Sequence, residues 1–256
     1  MFDWTQKVVL ITGASSGIGR GLAVELGRRG ATLGLLARRG DALRELAREV
    51  EAAGGRARAL AADVRDAAAV RAAADELRRE HGRVDVLIAN AGVGATTHAT
   101  DLKADEVAEV IGINVLGAVN SVTAVLPEMV EQGSGQLVAI SSLAAYRGLL
   151  KSGAYCASKA ALSAFFESLR LDLRGTGLDV TIIHPGFIKT ALTEGRQARL
   201  PYLMELDDAV GKIVRAVEAR KKSYAFPWQL ATIVRAAMLM PIPLYDRIAS
   251  RNSFRE

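Results

Sequence analysis

The chain has one cysteine, Cys156, so no intrachain disulfide can form, and its three histidines, His81, His98 and His184, stand far apart without metal-ligand spacing. A reducing compartment and no structural metal are the corresponding expectations. The opening "MFDWTQKVVLITG" has no basic start, no apolar stretch of signal-peptide length and no small-residue cleavage site, so export is not expected. Internal repeats, linkers and low-complexity tracts are also missing. What is present is a globular composition, 50% hydrophobic and 24% charged, which excludes the disordered, collagenous and disulfide-rich classes. A length of 256 residues is enough for a single α/β domain with a sizeable core.

The formal net charge of +5 raises the question of nucleic acid, which its location answers. Arg220, Lys221, Lys222, Arg235, Arg247, Arg251 and Arg255 oppose only Asp246 and Glu256, so seven minus two accounts for the whole excess in the last part of the chain. Elsewhere, basic and acidic residues alternate, as in "RELAREVEAAG", in the manner of solvated helix faces. No nucleic-acid partner is expected.

Short apolar runs at 7–12, 31–37, 58–63, 84–89, 136–141, 178–183 and 223–226 read as strands, and segments of helical period separate them. Strands that are apolar on both sides need helices on both faces. The βαβα order therefore predicts a single α/β domain of the Rossmann type, a doubly wound parallel sheet of about seven strands. Ligands of such sheets bind beyond the carboxyl ends of the strands.

"TGASSGIG" follows the first strand and opens a helix. Gly13, Gly17 and Gly19 allow a tight turn, and Ser15, Ser16 and Ile18 lie between them, where backbone amides and a helix N-terminus could receive a phosphate. The spacing is GxxxGxG rather than the common GxGxxG, and a plain tight turn is the alternative. The second strand ends in "LLARRG". A domain that binds NAD usually offers a carboxylate to the adenosine ribose here, and this chain offers Arg38 and Arg39. A guanidinium binds a 2′-phosphate in a bidentate fork, so NADP(H) is expected as cofactor, with Arg38 as the principal contact.

In "GAYCASKAAL", Tyr155 and Lys159 are spaced i and i+4, one above the other on a helix. A free phenol has a pKa of about 10 and is a poor base at neutral pH, and a neighbouring ammonium would stabilise its phenolate. Ser142 ends the strand "QLVAIS", Asn114 sits mid-helix in "GINVLGAVNS", "ANAG" closes the fourth strand and "HPGFIKT" the sixth. Taken singly, these are a packed tyrosine, a snorkelling lysine, a helix cap and a satisfied core amide. Together with TGxxxGIG and Asp63, in this order and spacing from residue 5 to about 226, they make the chain resemble the short-chain dehydrogenase/reductase superfamily. Ala89 departs from that family's frequent "NNAG".

The resemblance implies Tyr155 as acid/base and Lys159 as the residue that lowers its pKa and holds the nicotinamide ribose. It implies Ser142 as the group orienting a carbonyl and Asn114 as a link in a proton relay. It also places Asp63 and Val64 near adenine and Asn90, Ala91 and Gly92 on the ribose side. Pro185, Gly186, Ile188 and Thr190 of the "PGFIKT" run complete the implied cofactor contacts. A homodimer or homotetramer joined through the helices of Asn114 and Tyr155 is implied as well.

After "HPG", residues 187–206 read as a lid, made partly apolar by Phe187, Leu192, Leu200, Tyr202, Leu203 and Met204. They suggest a hydrophobic ketone, aldehyde or alcohol as substrate. Beyond the catalytic domain, taken as 1–226, the extension 227–256 holds an amphipathic helix from Trp228 to Met240 that Pro241 and Pro243 break. At about thirteen residues it is shorter than the roughly 20 that span a bilayer. It is compatible with three placements: over the substrate entrance or another subunit, in a membrane interface with Lys221, Lys222 and the terminal arginines near anionic lipid, or in the core. A cytoplasmic protein, peripheral at the inner membrane face in the second case, is expected. A 3-ketoacyl thioester reductase and a non-catalytic NADPH sensor are the alternatives.

Overall fold

The seven apolar runs pair into one sheet in a computed structural model that describes residues 2–193 and 200–250. The expected lid residues 194–199 and tail residues 251–256 lie outside the described residues. The strands are β1 (Val8–Thr12), β2 (Thr32–Ala37), β3 (Arg56–Ala61), β4 (Val86–Ala89), β5 (Gly135–Ile140), β6 (Leu178–Pro185) and β7 (Ser223–Phe226). Their spatial order is β3-β2-β1-β4-β5-β6-β7, and every pairing is parallel. The order reverses between β1 and β4, where connections leave for opposite sides and open a crevice.

Alternation along the strands divides the core in two. Val9 and Ile11 of β1 face one side, with Leu22 and Leu26 of α1 (Gly17–Arg28), Leu43 and Leu46 of α2 (Gly40–Ala52) and Ile213 and Val217 of α7 (Leu206–Glu218). Val8 and Leu10 face the other, with Leu77 of α3 (Ala67–His81), Val122 of α5 (Gly117–Glu131) and Phe166 of α6 (Gly153–Asp172). Leu10 and Phe166 have no solvent exposure. Burying a side chain of this size contributes about 1.5–3 kcal/mol before entropy is counted.

Three strands differ from the sequence expectation by two residues at a boundary, β6 by running on to Pro185. β3 begins and ends two residues earlier because Arg56 aligns with Thr32 of β2, which leaves Asp63 in the loop beyond the strand. β4 begins at Val86 because Asp85 is held by its side chain, which accepts the Val8 amide at 2.9 Å and pairs with Arg83 at 2.7 Å.

Asn114 interrupts a long helix. Between α4 (Ala104–Ile111) and α5, residues Gly112–Leu116 form a π-helical turn, a device that occurs mostly at functional sites. The stretch 104–131 is long and apolar enough to cross a membrane by length and composition alone. Half of its most apolar window is buried, and α5 packs on α3, β4 and β5.

The C-terminal segment departs from the expected single helix. α8 (Trp228–Met238) stops before the prolines, and Pro241 and Pro243 open α9 (Ile242–Ala249) instead of ending the fold. Proline suits the first turn of a helix, where the amide it lacks would have no partner.

Candidate active site

The carboxyl ends of β1, β4 and β5 carry the side chains that meet in the crevice. Gly13 has φ +66°, and a Cβ on it would lie 2.7 Å from Ala91 Cα, so a side chain there would collide with the neighbouring turn. A Cβ at Gly19 would lie 2.4 Å from the Gly13 carbonyl oxygen, so α1 packs against its own turn only because this residue is glycine. Thr12 Oγ1 accepts the amides of Asn90 and Ala91 at 3.1 Å, and Asn90 Nδ2 donates to the carbonyls of Thr12 at 3.0 Å and Gly13 at 3.2 Å. These bonds tie the "ANAG" turn to the glycine turn with Ala89 at the position often taken by asparagine.

A cleft of about 340 Å³ lies above these turns, lined by Gly13, Ser15, Ser16, Gly17, Ile18, Arg38, Arg39, Asp63, Val64, Asn90, Ala91 and Gly92, with Tyr155, Lys159 and Thr190 at its inner end. The glycine turn, the helix N-terminus behind it and the two arginines fit a dinucleotide. Arg39 donates to the carbonyl and hydroxyl oxygens of Ser15 at 3.3 and 3.1 Å, so it braces the turn. Arg38 is exposed and makes no hydrogen bond or ion pair with any described residue. Asp63 is chelated by Arg65, whose Nη2 lies 2.6 Å away, and this bond first, with Arg38 contributing, holds its carboxyl below the usual range.

Lys159 is buried on α6, where Leu162 and Phe166 bury the same helix face. Its Nζ donates to the carbonyl of Ile140 at the end of β5, 2.9 Å away, and stands 5.8 Å from the centroid of the Tyr155 ring. Desolvation lowers its pKa to about 8. Asn114 is fully buried and held by its neighbours: Oδ1 accepts the Val93 amide at 2.8 Å, while Nδ2 donates to the Val93 carbonyl and Ser158 Oγ, both at 2.9 Å. The π turn thus clamps α5 to the loop after β4 and to α6.

Ser142 Oγ accepts the Ala144 amide at 3.1 Å and caps a short 3₁₀ turn. Its hydroxyl proton has no acceptor among the described residues. Ser142 lines a second cavity of about 490 Å³, which is mostly apolar, with Leu143, Leu149, Phe187, Leu230, Val234 and Met240 in its wall. Tyr155, Ile18, Ser141, Thr190 and Leu192 border both spaces. Pro185, Gly186 and Ile188, expected at the cofactor, line this second cavity, and from their run only Thr190 reaches the first. Gly19 lines neither and acts through packing.

The sequence reading passed over three residues here. His184 is buried, its ring centroid 5.0 Å from that of Tyr146, and its Nδ1 lies 3.4 Å from the Ser142 carbonyl, beside the turn that carries Ser142. Burial holds its pKa below the usual value. Arg147 and Tyr245 line the apolar cavity. The isolated charge in "SLAAYRGLLKS" was the available signal for Arg147, whereas nothing local marks Tyr245.

A parallel doubly wound sheet with a glycine turn at its reversal point defines a nucleotide-binding α/β protein. The short chain dehydrogenase model matches residues 7–201, and the chain belongs to that family of oxidoreductases. It is 46% identical over 251 residues to an uncharacterized oxidoreductase of Myxococcus xanthus, covering 98% of this chain and 99% of that one. It is 33% identical over 222 residues to the ketoacyl reductase HetN of Nostoc, covering 85% and 77%. A crystal structure of a short chain dehydrogenase/reductase from Burkholderia phymatum in complex with NAD matches with a TM-score of 0.85 and 26% identity, over 100% of this chain and 99% of that one. A nicotinamide cofactor is thereby supported.

Proposed function

We propose that the protein is an NADP(H)-dependent oxidoreductase that reduces a hydrophobic ketone or aldehyde, or oxidises the corresponding alcohol. The observation that carries this reading is the position of Tyr155 on the border between the two spaces, where one hydroxyl can serve both. Bound in the cleft, a reduced nicotinamide supplies hydride to a carbonyl carbon. The chain supplies the rest. Ser142 has an unspent hydroxyl proton to donate to the carbonyl oxygen as charge develops there. Tyr155 delivers the proton that completes the alcohol, and Lys159, as an ammonium, favours the phenolate that remains. Asn114 holds the loop after β4 against α6 and is the expected link in proton supply.

Preference for NADP(H) rests on Arg38, the cleft arginine that makes no hydrogen bond or ion pair with a described residue. Replacing Arg38 by alanine is expected to lower kcat/KM for NADPH about 10- to 100-fold, the loss of a charge-assisted phosphate contact, and to leave NADH nearly unaffected. Steady-state kinetics with both cofactors checks this, and an unchanged ratio overturns the assignment.

Substrate class is tested by NADPH oxidation across aliphatic ketones and aldehydes, steroids, 3-ketosphingoid bases and 3-ketoacyl thioesters, with Tyr155→Phe as control. Turnover confined to the thioesters would favour a ketoacyl thioester reductase, the reading that likeness to HetN supports. Silence with tight NADPH binding would favour a sensor.

A homodimer or homotetramer through α5 and α6 is supported by exposed Leu116, Val130 and Leu171. Light scattering is expected to give at least twice the monomer mass, and a monomer refutes the assembly. For a cytoplasmic protein, contact with the inner membrane face is supported by Trp228, Leu239 and Ile242, which are 71%, 89% and 69% exposed. Lys221 and Lys222 would not share that contact: they precede β7, at the end of the sheet opposite α8.

A further inference from the structure

Arg147 is the only charged side chain among the described residues lining the apolar cavity, and it has no carboxylate partner among them. It is turned to another use. Its Nη1 donates to the carbonyl of Ala237 and, at 3.1 Å, to that of Met240. The Ala237 carbonyl lies in the last turn of α8, where the helix dipole favours a cation, and Met240 lies in the link between α8 and α9. The guanidinium carbon stands 3.8 Å from the centroid of the Tyr245 ring on α9, a stacking distance, and the Tyr245 hydroxyl donates to the carbonyl of Gly148. The loop that leaves Ser142 and the α8–α9 hairpin therefore hold each other through three hydrogen bonds and one stacking contact. α8 supplies Leu230, Val234 and Ala237 to the cavity wall, followed by Met240, and α9 supplies Tyr245, Ile248 and Ala249.

Burial among the described residues adds little to these contacts. Of α8 only Leu230 and Ala231 are buried, and α9 has no buried residue. Apolar packing alone cannot fix such a hairpin in one position, since burial area is what packing energy scales with.

We propose that Arg147 and Tyr245 form a clasp that fixes the α8–α9 hairpin as the outer wall of the cavity, making Arg147 a positioning residue that sets how well a large apolar substrate is held. This rests on the assignment of the cavity to substrate. A preformed wall removes the ordering cost of binding. A small ketone that reaches only Ser142 and Tyr155 gains nothing from that wall, whereas a long one lies along Leu230, Val234 and Met240.

The test compares wild type with Arg147→Met, Arg147→Lys and the milder Tyr245→Phe, each confirmed to melt cooperatively. For a long-chain methyl ketone, Arg147→Met is expected to raise KM about tenfold or more with kcat little changed. For butanone, the loss in kcat/KM is several-fold smaller. Arg147→Lys recovers part of the lost affinity, and Tyr245→Phe shows a smaller loss because its ring remains. Hydrogen exchange of the amides in 228–249 accelerates in Arg147→Met while that of β1 and β5 does not. Equal losses on both ketones, or unchanged exchange in 228–249, overturn the clasp. Exchange does not depend on turnover, so the clasp can be rejected or retained even if Tyr155→Phe shows that the cavity is not the site of reduction.

Discussion

Tyr155→Phe is expected to lower kcat by about 10²–10⁴-fold, the range that a positioned general acid contributes, while leaving the dissociation constant of NADPH nearly unchanged. The substitution removes one oxygen from a side chain that borders both the cleft and the cavity and keeps the ring that separates them. Lys159, Asn114 and the glycine turn keep these partners, because none of those hydrogen bonds uses the Tyr155 hydroxyl. Steady-state turnover and a fluorescence titration with NADPH, run on one preparation, separate chemistry from binding. Turnover within about tenfold of wild type would show that another group supplies the proton, and Ser142 would be the first to test.

Lys159→Met is expected to move activity and stability in opposite directions. Activity should fall at least about 100-fold, since a phenolate deprived of its neighbouring cation is harder to form. Stability should rise at neutral pH, because an ammonium confined to a site without a carboxylate is destabilising. The sign follows from linkage. The folded pKa is about 8, against the ordinary 10.5 in the unfolded chain, so between these values the unfolded state binds more protons and stability increases with pH. The burden is full below pH 8 and fades toward pH 10.5. A shift of that size corresponds to roughly 3 kcal/mol, from which about 1–2 kcal/mol is subtracted for leaving the Ile140 carbonyl unpaired. Methionine, similar in length and apolar, should therefore melt above the parent at pH 7, with the gap closing as pH approaches 10. A variant less stable at every pH would show that the lysine is held as a structural tie and not as a costly charge.

Much of this architecture was legible in the sequence because it depends on local rules. Apolar runs with helices between them leave a parallel sheet as the arrangement that covers both faces, and the glycines before α1 mark a turn that side chains would block. The i, i+4 spacing put Tyr155 and Lys159 on one face whatever their partners. Features that depend on distant meetings stayed hidden. The sequence favoured Arg38 over Arg39 as the phosphate contact, but that Ser15 engages Arg39 while Arg38 makes no hydrogen bond or ion pair with a described residue depends on how β2 leads into α2. Pro241 and Pro243 were legible as a break, yet whether a new helix begins there depends on what receives it. Arg147 and Tyr245 are separated by most of a hundred residues, and only the folded chain brings one over the other. The π turn also lacks a local signature, because "GINVL" would serve equally well in an ordinary helix.

That turn also governs which changes of length the chain can absorb. A π turn holds an extra residue relative to the regular helix around it, so the sequence periodicities of α4 and α5 are out of phase by the angle one residue subtends, about 100°. Losing one residue between Gly112 and Leu116 would restore a smooth helix with both halves nearly in place, because four residues of α-helix turn through about the same angle as the five of the wider π turn. α5 is fixed by the core through Val122 and Val125, so the change would fall on the widened turn itself and on the Asn114 amide that meets Val93 and Ser158. Here the number of residues, more than their identity, keeps the site in register, and a deletion harmless in most surface helices would act on this one as a lesion of the active site.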